Sequence, residues 1–177
     1  MKVIEQEIHS LKNSISEMWA LVHQQLYNAG EAMLTGDKEL AYKVISRERR
    51  VNAFELKIDS DCEDIIALYA PVAIDLRFVL AMYKINTNLE RLGDFAESIA
   101  RFAGNLPEGE PIDPQLVKET RVEEMLSELL SMISLTKEAF EKESSEIASR
   151  IFLKDNLIDE INHNSTAIIA KYIEEHK

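Results

Sequence analysis

The sequence has a single cysteine, Cys62, so no disulfide framework can form within the chain. That usage fits a reducing compartment. No histidine lies near Cys62 in sequence, and its apolar, helical surroundings suit packing rather than nucleophilic chemistry. Only five glycines and four prolines occur in 177 residues, which disfavours a turn-rich β fold. Period-two strand patterns are absent. Bases are in deficit, with 20 Lys and Arg against 32 Asp and Glu and a net charge of −12. Such a chain has no diffuse attraction for nucleic acid or anionic lipid. There is no run of roughly 18 uncharged apolar residues. The most apolar stretch, 65–74, is broken by Pro71 and ends at Asp75, and the polar N-terminus has no signal-peptide core. The expectation is a cytoplasmic protein without direct membrane insertion. Gly-x-Ser-x-Gly, a phosphate-cradling glycine loop and a Cys-His pair are all missing, so the chain is not expected to be an enzyme.

What is present is helical periodicity. Ile4, Ile8, Leu11, Ile15, Met18, Leu21, Val22 and Leu26 recur at helical spacing, which predicts a first helix to about Leu34. Gly36 interrupts it and Asp37 is placed to cap a second helix over 38–69. Pro71 forces a break, and a third helix runs to about Phe102. The segment 104–114 holds three of the four prolines and reads as a loop. A fourth helix is predicted from about Gln115 to Lys142 and, after Ser144 and Ser145, a fifth to near the C-terminus. The single Trp19 is expected in the core or at an interface.

A faint repeat runs at an offset of 107 residues: Glu31-Ala32-Met33 matches Glu138-Ala139-Phe140, and Glu48 to Asn52 matches Asp155 to Asp159. Helices one and two therefore recur as helices four and five. The fold expected is an all-α, up-and-down helical bundle of about five long helices, with a first unit over 1–106 and a partial second over 107–177.

Acidic residues fall in rows. Glu90 and Asp94 lie one helical turn apart around Gly93, with Asn86 a turn earlier, and the apolar residues Ile85, Leu89, Leu92, Ala96 and Ile99 project to the other side. Glu48, Asn52, Glu55 and Asp59 follow at steps of four, three and four, as do Asp155, Asp159 and Asn162 at four and three. Like charges one turn apart repel by a few tenths of a kcal/mol, and a hard cation liganded by carboxylate oxygen would relieve this. Rows on packed helices can converge four or more oxygens on one ion; the same spacing also fits a solvated acidic face balanced by Arg91. A rival reading, Glu160-x-x-His163, is the pair used by carboxylate-bundle metal enzymes and iron-handling proteins, but no second such pair exists.

Three blocks, Arg50 to Asp59, Ala70 to Arg77 and Lys84 to Asp94, carry a resemblance to the PhoU family that extends along the whole chain. The resemblance implies two three-helix repeats, the second here without a last helix and its Glu-Arg-x-Gly-Asp block, leaving an apolar groove that a second copy could cover as a homodimer. It implies that acid-x-x-x-Asp pairs hold a divalent or trivalent metal ion such as iron, zinc, manganese or magnesium. Glu90 and Asp94 match that pattern fully, as do Asp155 and Asp159. Glu48 and Asn52 match with Asn in the last place, and Glu55 and Asp59 also fit. The implied function is negative regulation of phosphate uptake and phosphate-starvation signalling. The partners implied are a phosphate ABC transporter, on its cytoplasmic side, and a membrane sensor histidine kinase.

Overall fold

The computed structural model describes residues 3–107 and 111–176. Six helices follow one another: α1 (Val3–Thr35), α2 (Lys38–Tyr69), α3 (Ala73–Asn105), α4 (Pro114–Thr120), α5 (Val122–Glu141) and α6 (Ser145–Glu175). The punctuation works through side chains. Asp37 accepts from the Leu40 amide at 2.9 Å and opens α2, Asp113 accepts from Gln115 and opens α4 with Pro114 at its first position, and Ser144 caps α6. Between α2 and α3 the chain turns at Pro71, with Ala70 and Ala73 both in the left-handed region at φ 44° and 48°.

Among the described residues, six helices correct the expected bundle of about five long helices with an incomplete second repeat. The stretch 114–141 is not one helix, because Arg121 adopts φ 54° and divides α4 from α5. Thr120 ends α4 by turning its hydroxyl back to the carbonyls of Leu116 and Val117. Arg121 is held by both oxygens of Glu124 at 2.8 and 3.0 Å and reaches Glu160 of α6 at 3.0 Å. Apolar residues keep helical spacing through this point and no Gly or Asn marks it; the break coincides with the pairing of Arg121 to α5 and α6.

Helix α1 is the centre of the molecule. It packs on α2, α3 and α5, and buries Leu11, Ile15, Met18, Val22, Leu26 and Ala29. The α1–α5 seam rests on a close approach at Gly30, where an added Cβ would lie 2.1 Å from Leu126 Cδ2. It continues through Trp19, whose ring stacks on Phe140 at 5.8 Å and whose indole N–H donates to the Ile133 carbonyl at 3.3 Å. Helix α6 packs chiefly on α5 and α4 and is shallowly buried: Ile161 alone is fully inside among its described residues, while Phe152 and Leu153 are each 76% exposed.

The α2–α3 contact is tight for a specific reason. A Cβ at Gly93 would lie 2.8 Å from Val51 Cγ1, so glycine lets the two helices approach. Alanine favours helix by about 1 kcal/mol, yet here it meets a short β-branched side chain that cannot swing away. Gly93→Ala is therefore expected to lower stability by about 1–2 kcal/mol in urea denaturation. The double variant Gly93→Ala/Val51→Ala should recover part of that loss, and strictly additive effects would show that the two sites do not press on each other.

Candidate metal-binding acidic face

Because Gly93 seats against Val51, the flank of α2 carrying Glu48, Asn52, Glu55 and Asp59 faces α3. Asn86 pins that register. Its side-chain amide donates to Asp59 Oδ1 at 2.7 Å and to the Glu55 carbonyl at 2.9 Å. Further along, Asn52 donates to Glu48 Oε2 at 2.9 Å. Glu90 and Asp94 of α3 stand across from these groups, and so does Glu97, which pairs with Arg101 at 2.6 Å.

Proton affinities record this crowding. Partial burial holds the Glu90 carboxyl above the ordinary carboxylate range, with Asp94, Glu55 and Glu48 adding repulsion and a hydrogen bond shared with Asp94 favouring the protonated form. Glu48 is raised as well, first by burial and then by Glu97 and Asp94, against the lowering effect of the Asn52 amide and Arg101. The face is thus a two-helix cluster of acids in which Glu48 and Glu90 feel their neighbours. Nearby Cys62 is buried, and burial with Asp59, Asp61 and Glu63 pushes its thiol up to about 12, so it stays protonated and inert near neutrality.

The structure brings together Glu48, Asn52, Glu55, Asp59, Glu90 and Asp94. Asp155 and Asp159 are exposed on α6, among the helices of the other end of the chain, and do not join them. Asn86 also differs from expectation. It is fully buried, not part of a solvent-facing row, because it lies on the same α3 stripe as Val79, Met82, Leu89, Gly93 and Ala96. That stripe, read from Gly93 and Ala96 backwards, was the available signal for its inward position. Glu97, three residues past Asp94, is an acid that the pairwise spacing missed. The rival pair is not assembled as an inward site: Glu160 is engaged by Arg121 and His163 is exposed.

The donor set suits a hard cation in kind. It is entirely oxygen, and Asn86 Oδ1 is a buried acceptor with no hydrogen-bond partner beside the cluster. As the side chains stand, no group of three His, Cys, Asp or Glu among the described residues is arranged to hold a metal ion. Glu48, Glu55, Asp59 and Glu90 are half-buried and Asp94 exposed, and a cation would have to draw these side chains in by rotation.

Comparison with known proteins is direct. The family model for the PhoU domain matches residues 15–103. A phosphate-specific transport system accessory protein PhoU homolog of Aquifex aeolicus is 33% identical over 169 residues, 94% of this chain and 74% of that protein. The phosphate-specific transport system accessory protein PhoU of Escherichia coli is 34% identical over 154 residues, 87% of this chain and 62% of that protein. The crystal structure of PhoU from Pseudomonas aeruginosa superposes with a TM-score of 0.89 at 27% identity, covering 97% of this chain and 80% of that one. That of the phosphate transport system regulatory protein PhoU from Streptococcus pneumoniae gives 0.86 at 28%, covering 98% and 80%.

The raised carboxyls carry a pH signature. A folded-state pKa above the unfolded one means that the fold binds the proton more tightly; the resulting stability is present below the unfolded value, near 4.5, and is lost as pH rises through the folded value. At neutral pH the ionised Glu90 is therefore a small liability. Glu90→Gln is expected to raise the unfolding free energy from urea denaturation at pH 7 by an amount on the order of a few tenths of a kcal/mol and to give no gain at about pH 4. An equal gain at both pH values would mean that charge repulsion is not the cause.

Proposed function

Because this chain belongs to the PhoU family, as the matched domain and its relatives show, we propose that it acts as a non-enzymatic adaptor that restrains phosphate uptake and phosphate-starvation signalling. A role in regulating phosphate transport is common to the relatives, which are named as accessory or regulatory proteins of the phosphate transport system. The finer reading has the chain working in the cytoplasm between the phosphate ABC transporter and a membrane sensor histidine kinase, with a homodimer as the working form. No helix among the described residues is long and apolar enough to cross a membrane, so contact with membrane partners would be made by helix faces.

The observation that carries the site is the α2–α3 face, where a glycine contact sets two rows of acids opposite each other. We assign Glu90 and Asp94 as the principal holders of a metal ion, with Glu48, Asn52, Glu55 and Asp59 contributing from α2. The bound cation would neutralise the acid cluster and change the charge that this face offers to a partner. In the chain itself, Asn86 fixes the α2–α3 register and Gly93 sets the distance between the rows. Asp155 and Asp159 on α6 are a second, separate acid pair of the same pattern.

Two outcomes are expected. Removing the protein from its host should raise phosphate uptake and switch on a starvation reporter in phosphate-replete medium; unchanged uptake would rule out the regulatory role. Glu90→Ala/Asp94→Ala should reduce metal retained after gentle purification, read by elemental analysis, with unchanged far-ultraviolet circular dichroism. A large loss of helicity would contradict the peripheral placement of these side chains, and unchanged metal content would remove them as ligands.

A further inference from the structure

Three of the chain's eight arginines, Arg47, Arg49 and Arg50, fall within one turn or so of α2. On the helix, Lys43, Arg47, Arg50 and Lys57 form a row within an arc of roughly 80°. Two contacts place this row on the α1 side of α2, away from the acidic face. Lys57 Nζ donates to Ser14 Oγ of α1 at 3.0 Å, and Gln25 of α1 donates to the Val44 carbonyl at 2.8 Å. Helix α2 is therefore two-sided in charge, acidic toward α3 and basic along the α1–α2 groove.

Most of the row is unneutralised. Lys57 pairs with Asp61, but Lys43, Arg47 and Arg50 form no ion pair among the described residues. On α2 itself Asp61 and the exposed Glu39, one turn before Lys43, share the row, and the exposed Glu17 stands on α1. In a chain of net charge −12, Lys43, Arg47 and Arg50 within two turns give this groove a local concentration of positive charge. Phe54 lies in the same row between Arg50 and Lys57, and Leu21 stands on the facing flank of α1; both are only partly buried against the core.

We propose that this groove docks an acidic amphipathic α-helix of a partner protein. It rests on the adaptor role proposed for this chain and names one of its surfaces. The shape decides among anions. Lys43 and Lys57 are separated by roughly 21 Å along the helix, so the row is a line and cannot close on a single phosphate group. The apolar floor of Phe54 and Leu21 matches a helix with an apolar stripe between its acids. An anionic bilayer would meet the whole acidic molecule and not this groove alone. Arginine suits carboxylate partners because its planar fork can bind both oxygens.

Fluorescence anisotropy of the intact protein tests this, with a labelled, capped peptide of about 20 residues built from Glu, Leu and Ala with Glu and Leu on opposite faces. Saturable binding that weakens about tenfold in Arg47→Gln/Arg50→Gln and falls with added salt is the expected result. Arg77→Gln/Arg91→Gln on α3 makes the same charge change and should leave binding intact. No saturation by roughly 1 mM peptide overturns the assignment, as does equal weakening in the α3 control or equal binding of a scrambled peptide. Orthophosphate or anionic-vesicle binding that depends on the row where the peptide does not bind would also overturn it, as would self-association lost in the same variant. A row variant that binds no peptide yet regulates uptake normally would remove the docking row and leave the regulatory role standing.

Discussion

The closeness of α2 and α3 at Gly93 is the constraint on which the rest depends. Without a side chain at that position, Val51 settles against the α3 backbone and the two acid rows are carried to within interaction range. The arrangement sets like charges against each other, at a cost of a few tenths of a kcal/mol for each pair. The same contact buries Val51, Ile58, Cys62, Ile65, Val79, Met82 and Leu89, each large aliphatic contributing about 1.5–3 kcal/mol. Burial therefore wins by a wide margin, and the fold tolerates a crowded acidic surface as a by-product of its core.

Helix α2 shows how one segment presents three different faces to its surroundings at once. Its apolar stripe enters the core, and its acidic flank meets α3 through Asn86. Its basic flank lies beside α1, where Lys57 reaches Ser14. Because the flanks lie on opposite sides of a buried seam, each can change charge without moving the other. That separation is what an adaptor with more than one contact surface requires, since neutralising the acidic side leaves the cationic row untouched.

Much of this could be read from the chain before any coordinates. Asp37, Pro71 and Ser144 marked helix ends because capping and proline effects act over a few residues. Glu48, Glu55, Glu90 and Asp94 were recognisable as rows because helical spacing alone fixes which side chains share a face. Arg121 was not legible: its left-handed turn is held by Glu124 and by Glu160, 39 residues away, and so depends on tertiary pairing. Asn86 was misplaced because its polarity suggested solvent, whereas two specific hydrogen bonds engage its amide nitrogen inside. The separation of Asp155 and Asp159 from the other acids depends on how α6 packs on α4 and α5, which periodicity does not encode.

The balance of energies also bears on what the acidic face can do. Its residues are at the rim, and partial burial first, then the neighbouring acids, makes Glu48 and Glu90 hold their protons more tightly. The electrostatic tension is thus small and local, while the bundle rests on α1, which buries apolar residues against α2, α3 and α5 together. A cation arriving at the rim would remove a few tenths of a kcal/mol of repulsion per acid pair and would not be needed to hold the helices together. Surface charge can then vary with occupancy while the framework stays fixed, which is the condition under which a partner could read the charge of this face without the protein having to refold.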